Sequence, residues 1–301
     1  MKEVKCPTAI IWGYGITYNL NLNLIKYQEI QNNIKIVGIT GKEIYHQSID
    51  RYPCIHIDDL RLIDFDYLII AAKAYYEEIC GTAKDLGIEQ NRIIDIQVFS
   101  IPNFNFVNYI GLIESHISII ANNCWGGGVY HLLRTQFQSP FINMYLKDKD
   151  YINLLKNLKV LDERKIEFME WNYSADLKRD FPVYRLDNIL LYFNHYVSRE
   201  EVESKWYERV KRINWDNLFI MMFTEDMKIA QQFEELDFEK KVCFVPFASS
   251  LKSACTLKKP DADMKFWEVV NGVPWNRLVD YNVIDMLCCT DKKCDRVCFS
   301  K

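Results

Sequence analysis

The chain has 301 residues, of which 49% are hydrophobic and 26% charged, with a formal net charge of −4 at pH 7. This is the composition of a globular protein large enough for two cores, and its acidic balance excludes nonspecific nucleic-acid binding through a basic surface. No apolar run approaches the roughly 18 residues of a membrane span and no signal peptide begins the chain, so we expect a cytoplasmic protein whose ten cysteines are reduced.

The first half alternates strands and helices. Continuous apolar runs, typical of strands covered on both faces, occur at residues 8–12, 34–39, 67–72 and 92–96. Between them, apolar residues at helical spacing predict a helix with one apolar face, formed by Ile16, Leu20, Leu24 and Tyr27. A second helix is predicted over residues 75–86, ended by Gly87. Residues 1–112 are therefore predicted to form an α/β domain with a doubly wound parallel sheet.

A glycine turn, Gly13-Tyr14-Gly15, joins the first strand to the first helix, as at the start of a dinucleotide-binding fingerprint. The third glycine position is Tyr18, and the second strand ends at Thr40 instead of the acidic residue that binds NAD ribose. We therefore expect NAD to bind poorly. This half resembles the small Rossmann-like domains that precede sugar-modifying enzymes, which implies either nucleotide or nucleotide-sugar binding at Gly13 and Gly15, or a fold without a ligand.

The second half, residues 113–301, is predicted to be another α/β domain, packed on the first and built on a mixed sheet. Its predicted strands are residues 117–121, 141–145, 166–171, 189–193, 218–223, 242–245 and 281–286. Its predicted helices are residues 129–135, 147–157, 199–213 and 262–270.

The sequence NNCWGGG, residues 122–128, follows a predicted strand and precedes a predicted helix. A strand, a glycine-rich loop and a helix form the usual arrangement for binding an anion on backbone N–H groups. The substrate-binding candidates in this turn are Asn122, Asn123, Trp125, Gly126 and Gly127. The amides offer donors and acceptors, the glycines allow close approach, and the indole offers a face to a sugar ring. The alternatives are a tight turn for the asparagines and a small core thiol, instead of a nucleophile, for Cys124.

Residues 195–214 predict one helix whose apolar and cationic residues lie on separate faces. The helix begins with a capping box of Ser198 and Glu201. Its buried stripe consists of Val202, Trp206, Val210 and Ile213. A separate cationic row consists of Lys205, Arg209 and Arg212. Like charges at this spacing repel, so the row suggests a bound anion; the alternative is a solvated face paired with nearby glutamates.

Two further residues are catalytic candidates because they follow apolar strands, where α/β sheets place their chemistry. His195 is a candidate general base or phosphate donor, with Asp150 or Asp187 as partner; alternatively it only ties the strand to the helix. Asp226, in Thr224-Glu225-Asp226, resembles the metal-diphosphate motif of many glycosyltransferases.

Four cysteines, Cys288, Cys289, Cys294 and Cys298, lie within the last fourteen residues. Their spacing matches neither paired zinc knuckles nor common iron–sulfur runs. We therefore predict a thiol cluster and no stoichiometric metal.

Several segments together resemble one bacterial family. They are SIIANNCWGGGVYHLL, SPFINMYLKDKDYINLLKNL, the HY-to-RIN helix and NWDNLFIMMF, and the resemblance covers roughly residues 117–245. The family, DUF1919, is usually labelled exopolysaccharide biosynthesis protein, so the resemblance implies a surface-polysaccharide context without a known mechanism.

These features favour a cytoplasmic transferase acting on a nucleotide-activated sugar or other phosphorylated donor. The predicted anion site joins the NNCWGGG turn to the cationic row, with His195 as base. The alternative is a non-catalytic module that binds a nucleotide or sugar phosphate. The oligomeric state is not predicted.

Overall fold

The computed structural model describes residues 6–42, 46–272 and 282–288. It has an α/β fold whose chain divides into two units, Met1–Glu114 and Ser115–Lys301. Within the described residues, no helix combines the length and apolarity needed to cross a membrane.

The first unit contains one sheet of six strands. The strands are β1 (Thr8–Trp12), β2 (Lys35–Thr40), β3 (Ser48–Ile49), β4 (Tyr52–Ile55), β5 (Tyr67–Ile70) and β6 (Ile93–Asp95). The helices are α1 (Ile16–Ile30), α2 (Tyr76–Asp85) and α3 (Phe106–Glu114), with 3₁₀ turns at Ile57–Leu62, Lys73–Tyr75, Gln90–Arg92 and Ile96–Ser100. The strand order is β3-β4-β2-β1-β5-β6, and every pairing is parallel except the short hairpin β3–β4. The predicted parallel sheet is confirmed, and the edge hairpin is an addition to it.

Helix α1 turns its apolar face outward. An apolar row at helical spacing normally faces the core, but Ile16 is 80% exposed and Leu20 76% exposed. The buried face instead carries amides: Gln28 donates from Nε2 to the Phe104 carbonyl oxygen (2.7 Å), and its Oε1 accepts from the Phe106 backbone N–H (3.0 Å). Because these hydrogen bonds offset desolvation of the amide, the polar side of α1 can pack inward.

The second unit contains two separate sheets. Its strands are β7 (Ser118–Ala121), β8 (Glu167–Ser174), β9 (Arg179–Leu186), β10 (Ile189–Tyr192), β11 (Leu218–Phe223), β12 (Lys241–Val245) and β13 (Ala254–Thr256). Its helices are α4 (Trp125–Leu132), α5 (Asp148–Lys156), α6 (Val160–Glu163), α7 (Arg199–Val210), α8 (Met227–Glu234), α9 (Phe266–Gly272) and α10 (Val283–Cys288). A parallel sheet has the order β13-β12-β11-β7, and an antiparallel meander has the order β10-β9-β8. The strands therefore do not form the single mixed sheet that was predicted.

Two predicted strands of this unit were wrong. Residues 141–145 form no strand and contribute only an isolated bridge from Tyr145 to Tyr192. Residues 281–286 were predicted as a strand, but α10 begins at Val283. The Asn282 Oδ1 accepts the backbone N–H groups of Ile284 (3.0 Å) and Asp285 (3.2 Å), which caps a helix start. A short apolar run alone does not distinguish a buried strand from a buried helix.

The core of the second unit fixes the ends of the parallel strands. The Tyr151 hydroxyl is within 2.7 Å of the Ile120 carbonyl oxygen and 2.9 Å of the Met221 carbonyl oxygen, so it bridges β7 and β11. On α7, the buried Trp206 packs edge-to-face against Phe141 and Phe193. The Tyr151 hydrogen bonds fix the carboxyl ends of β7 and β11, where the candidate site lies.

Candidate functional site

A pocket of about 690 Å³ opens where β7 and β11 end. Its walls come from residues 122–125, 127–128 and 131, the loop at residues 143–146, the tip of the β8–β9 hairpin, residues 194–195, Phe223 and α9, whereas the predicted binding residue Gly126 is not part of them. The carboxyl ends of parallel strands are where α/β proteins usually place ligands. The NNCWGGG segment and His195, predicted to converge, do line one pocket.

The two asparagines at the end of β7 have mainly structural roles. Asn122 is fully buried; its Nδ2 donates to the Phe223 carbonyl oxygen (3.0 Å) and its Oδ1 accepts from the Phe223 N–H (3.1 Å). Asn123 accepts at Oδ1 from the Trp125 N–H (3.1 Å) and donates from Nδ2 to Asn271 Oδ1 (3.0 Å). Asn122 thus extends the β7–β11 pairing, and Asn123 starts α4. These roles agree with the predicted alternative, in which the asparagines stabilise a tight turn.

The glycines lie inside α4, not in a loop before it. Helix α4 begins at Trp125, four residues earlier than predicted. A Cβ added to Gly126 would lie 3.1 Å from Ile119 Cγ2, and one added to Gly127 would lie 3.4 Å from Ile142 Cγ2. The prediction of an anion-binding loop is corrected here, since these glycines let the helix pack closely against β7 and residue 142.

Trp125 and Cys124 both have core roles. The Trp125 side chain is 1% exposed and stacks on Phe219 at a centroid distance of 6.1 Å, which corrects the expectation that its ring receives a sugar. Burial raises the pKa of the Cys124 thiol to about 12, outweighing the effect expected from a helix N-terminus. Cys124 is therefore a neutral thiol at pH 7 and matches the predicted alternative of a small core side chain.

His195 stands at the rim of the pocket. Its backbone N–H donates to the Asn143 carbonyl oxygen (3.4 Å), which ties the backbone at His195 to the loop at residues 143–146. Desolvation and then the nearby charge of Arg179 lower the pKa of the imidazole below its ordinary 6.5. The ring is therefore neutral at pH 7, the protonation state that a general base requires.

The acidic partners predicted for His195 are occupied elsewhere. Asp187 pairs with Arg164 at 3.7 Å, and the carboxylate of Asp150 accepts a hydrogen bond from the backbone of Leu190. Neither aspartate belongs to the wall of this pocket. The sequence offered no distance information with which to test these pairs.

A second histidine, His131, also lines the pocket. It lies on α4, one turn beyond Gly127, and its ring meets Phe137 edge-to-face at 5.2 Å. Helical periodicity places residue 131 on the same side of α4 as residues 127 and 128. The spacing in the sequence therefore indicates that His131 faces the pocket together with Gly127 and Gly128.

Four further asparagines line the pocket from separate parts of the chain, namely Asn143, Asn172, Asn194 and Asn271. Asn143 has a left-handed backbone (φ +59°), a conformation that asparagine tolerates better than most residues. The Asn194 Oδ1 is buried and has no hydrogen-bond partner within the described part of the chain. A buried, unpaired acceptor beside a pocket indicates a missing donor, such as a ligand hydroxyl.

Aromatic side chains complete the wall. Tyr173 is 61% exposed at the hairpin tip, and Trp267 is 39% exposed on α9, where the Lys265 ammonium lies 5.8 Å from the centroid of one face of its ring. Asp176 on the hairpin pairs with Lys265 at 3.0 Å, just before α9. This ion pair thus joins the hairpin to the segment that leads into α9.

The cationic row does not reach this pocket, contrary to the prediction. Arg209 is only 7% exposed; its Nη1 donates to the Tyr196 hydroxyl (2.6 Å), and its guanidinium lies 4.9 Å from the centroid of the Phe137 ring. The residue was predicted to face an anion, but the structure places it in the core, where a buried charge needs hydrogen bonds and an aromatic face.

The other two cations of the row are paired with acids one turn earlier. Lys205 forms an ion pair with Glu201, and Arg212 forms one with Glu208. The Arg212 Nη1 also donates to the Phe137 carbonyl oxygen at 3.2 Å. These pairs follow the predicted alternative, a face neutralised by neighbouring glutamates.

Asp226, the other catalytic candidate, is a helix cap. Its Oδ1 accepts the Lys228 backbone N–H at 2.8 Å at the start of α8, and it does not line the pocket. Among the described residues, no three His, Cys, Asp or Glu side chains are grouped to hold a metal ion. Asp226, in the Thr224-Glu225-Asp226 turn, therefore serves to cap the N-terminus of α8.

In the first unit, the glycine turn is shaped by backbone contacts. Gly13 has φ +103°, and its N–H donates to the Thr40 carbonyl oxygen at 2.8 Å. A Cβ here would lie 3.3 Å from the Ala71 carbonyl oxygen, so glycine is required for the turn itself. Gly15 caps α1. At the chain end, Cys288 closes α10, whereas Cys289, Cys294 and Cys298 lie outside the described residues.

Comparison with known proteins assigns two family models to the chain. Residues 6–94 match the model described as C2185-like, N-terminal, and residues 95–288 match the domain of unknown function DUF1919. A protein of Haemophilus influenzae named "Uncharacterized protein" is similar, with 31% identity over 179 residues that cover 58% of this chain and 84% of the relative. Because the second model spans well over half of its residues, the chain belongs to the DUF1919 family.

Proposed function

We propose that the second unit is an enzyme that binds a saccharide in the asparagine-rich pocket and transfers a group to or from a sugar hydroxyl. The buried, unpaired Oδ1 of Asn194 beside His195 carries this proposal. The label of the family supports a place in surface or exopolysaccharide biosynthesis.

The chemistry of the wall suits a sugar. Each saccharide hydroxyl both donates and accepts, and a primary amide supplies both functions from one side chain. Exposed aromatic faces, here Tyr173 and Trp267, cover the apolar C–H faces of a sugar ring. Among the described residues of the wall there is no lysine or arginine. The pocket therefore suits the uncharged saccharide better than the phosphates of an activated donor.

His195 is the proposed base. A neutral imidazole at the rim can accept the proton of a sugar hydroxyl as that oxygen attacks the group being transferred, while the bond from this group to the donor phosphate breaks and the phosphate leaves. Arg179 supports this role, since its charge opposes protonation of the ring. The donor in this proposal is a nucleotide-activated sugar or another phosphorylated compound.

A second candidate function is a saccharide-binding module without catalysis. The observation that favours it is that the carboxylates proposed to orient His195, Asp150 and Asp187, are engaged elsewhere. Catalytic histidines usually have such an orienting group. Binding without turnover would support this candidate.

A thermal-shift screen of the full chain tests the binding claim. The compounds are neutral saccharides, nucleotide-sugars, free nucleotides, NAD and NADP. A saccharide or nucleotide-sugar is expected to raise the melting temperature, because a ligand at 100 times its Kd stabilises the folded state by about 2.7 kcal/mol. NAD and NADP are expected to give no shift.

Two variants locate the binding. Asn194→Ala is expected to lose the shift, whereas Asn157→Ala, which replaces an exposed asparagine of the same unit outside the pocket, should retain it. If free nucleotides alone shift the melting temperature, and equally in both variants, the proposed site is wrong.

A further inference from the structure

The exposed face of α1 is an apolar stripe. It consists of Ile16 (80% exposed), Leu20 (76%), Leu24 (39%), Tyr27 (56%) and Ile30 (76%). Single exposed apolar residues are normal, but five on one side of a 15-residue helix form a continuous patch of the size that marks an interaction site. The opposite face is packed and hydrogen-bonded. The helix therefore cannot rotate to bury the stripe without losing the hydrogen bonds of Gln28.

The stripe is electrically neutral. The only charged residues of α1 are Lys26 and Glu29, and both are paired within the unit: Lys26 with Asp50 at 3.9 Å and Glu29 with Arg51 at 2.5 Å. A helix that lies on an anionic membrane carries several basic residues along its polar flank, which α1 lacks. The exposed residues between the apolar ones include the amides Asn19 and Asn23. Such a face fits a partner that is itself apolar and uncharged.

We propose that the partner is a second copy of this chain, which presents the same stripe across a two-fold axis. Residue 23 is the midpoint of α1, so antiparallel pairing centred there places Leu20 near Tyr27 of the other copy and Ile16 near Ile30. Two neutral, identical faces meet without like-charge repulsion, and the Asn23 amides meet at the axis, where each can donate to and accept from the other.

The area suffices for a stable dimer. The helix is about 22 Å long at 1.5 Å per residue. Pairing two such stripes with their flanks buries on the order of 1,200 Å² in total, the lower end of the range for specific interfaces. We therefore expect a dimer that dissociates at low protein concentration.

Sedimentation velocity of the full chain over a range of concentrations tests the dimer. The parent protein is expected to dimerise, and Leu20→Glu to weaken the dimer by about a hundredfold or more, as for a central interface residue. Leu62→Glu is the matched control, because Leu62 is 82% exposed in the same unit but lies outside α1. It should dimerise like the parent.

Three results would overturn the proposal. The parent protein sediments as a monomer at every concentration; Leu20→Glu leaves the dimer unchanged; or Leu20→Glu lowers the melting temperature of a monomeric protein, which would mean that the stripe is covered within one chain.

Cysteine cross-linking tests the register. Asn23→Cys, at the axis, should form a disulfide-linked dimer under mild oxidation beyond the background from the natural cysteines. Asn19→Cys should not, because antiparallel pairing separates residue 19 from its counterpart by about 12 Å along the axis. Equal cross-linking of both variants would contradict the antiparallel arrangement.

Discussion

Trp125→Ala is expected to destabilise the second unit by about 3–5 kcal/mol, the usual cost of removing a fully buried large aromatic side chain. The indole is 1% exposed, stacks on Phe219 and lies 6.0 Å from Phe244, both on central strands of the parallel sheet. Its loss leaves a large cavity between α4 and the sheet. Urea unfolding of the parent and variant measures the difference directly.

The matched control is Trp267→Ala. Trp267 also lines the pocket but is 39% exposed, so its truncation should change stability by about 0.5 kcal/mol or less while weakening saccharide binding. The reverse result, a stable Trp125→Ala variant that has lost saccharide binding, would restore the original expectation that Trp125 receives the sugar.

His195→Ala is expected to lower turnover by about 10²–10⁴-fold, the usual contribution of a general base. The assay is release of the nucleoside phosphate from the nucleotide-sugar identified in the screen. Binding of that compound should change little, because the imidazole stands at the rim of the pocket. His131→Ala is the comparison: a larger loss there than at His195 would assign the base to α4.

The pH dependence gives an independent check on the same residue. The pKa of His195 is lowered below 6.5, so the neutral form persists through neutral pH. Turnover should therefore change little through neutral pH and fall in more acidic solution, as the ring becomes protonated. His195→Gln should remove this acid limb from its residual activity. An acid limb unchanged in His195→Gln would exclude His195 as its source.

The sequence predicted the parallel strands well because both their faces are buried, which leaves an unbroken apolar run such as residues 8–12. It predicted α1 but could not indicate which side faces inward. Periodicity identifies an apolar face, whereas the inward packing of Gln28 depends on the Phe104 carbonyl and the Phe106 N–H, 76 and 78 residues away. The outward stripe is thus a departure from the usual pattern, and such departures are expected at functional surfaces.

Only part of the site was predicted, again because the sequence shows local patterns and not contacts between distant segments. Segments that follow parallel strands meet at one edge, and the structure does bring residues 122–125, 127–128 and His195 to one pocket. The cationic row was misplaced because its electrostatics are local: Glu201 and Glu208 lie one turn before Lys205 and Arg212. Asn143, Asn172, Asn194 and Asn271 come from separate loops and elements, and no sequence spacing links them.

We expect the asparagine-rich pocket of the second unit to hold a saccharide. The most direct test is a crystal structure of the full chain with the nucleotide-sugar or saccharide that stabilises it most. The sugar ring is expected in the pocket, with a hydroxyl donating to Asn194 Oδ1 and another hydroxyl within hydrogen-bond distance of the His195 imidazole. A ligand bound at the Gly13 turn, with the pocket beside Asn194 containing only water, would contradict it.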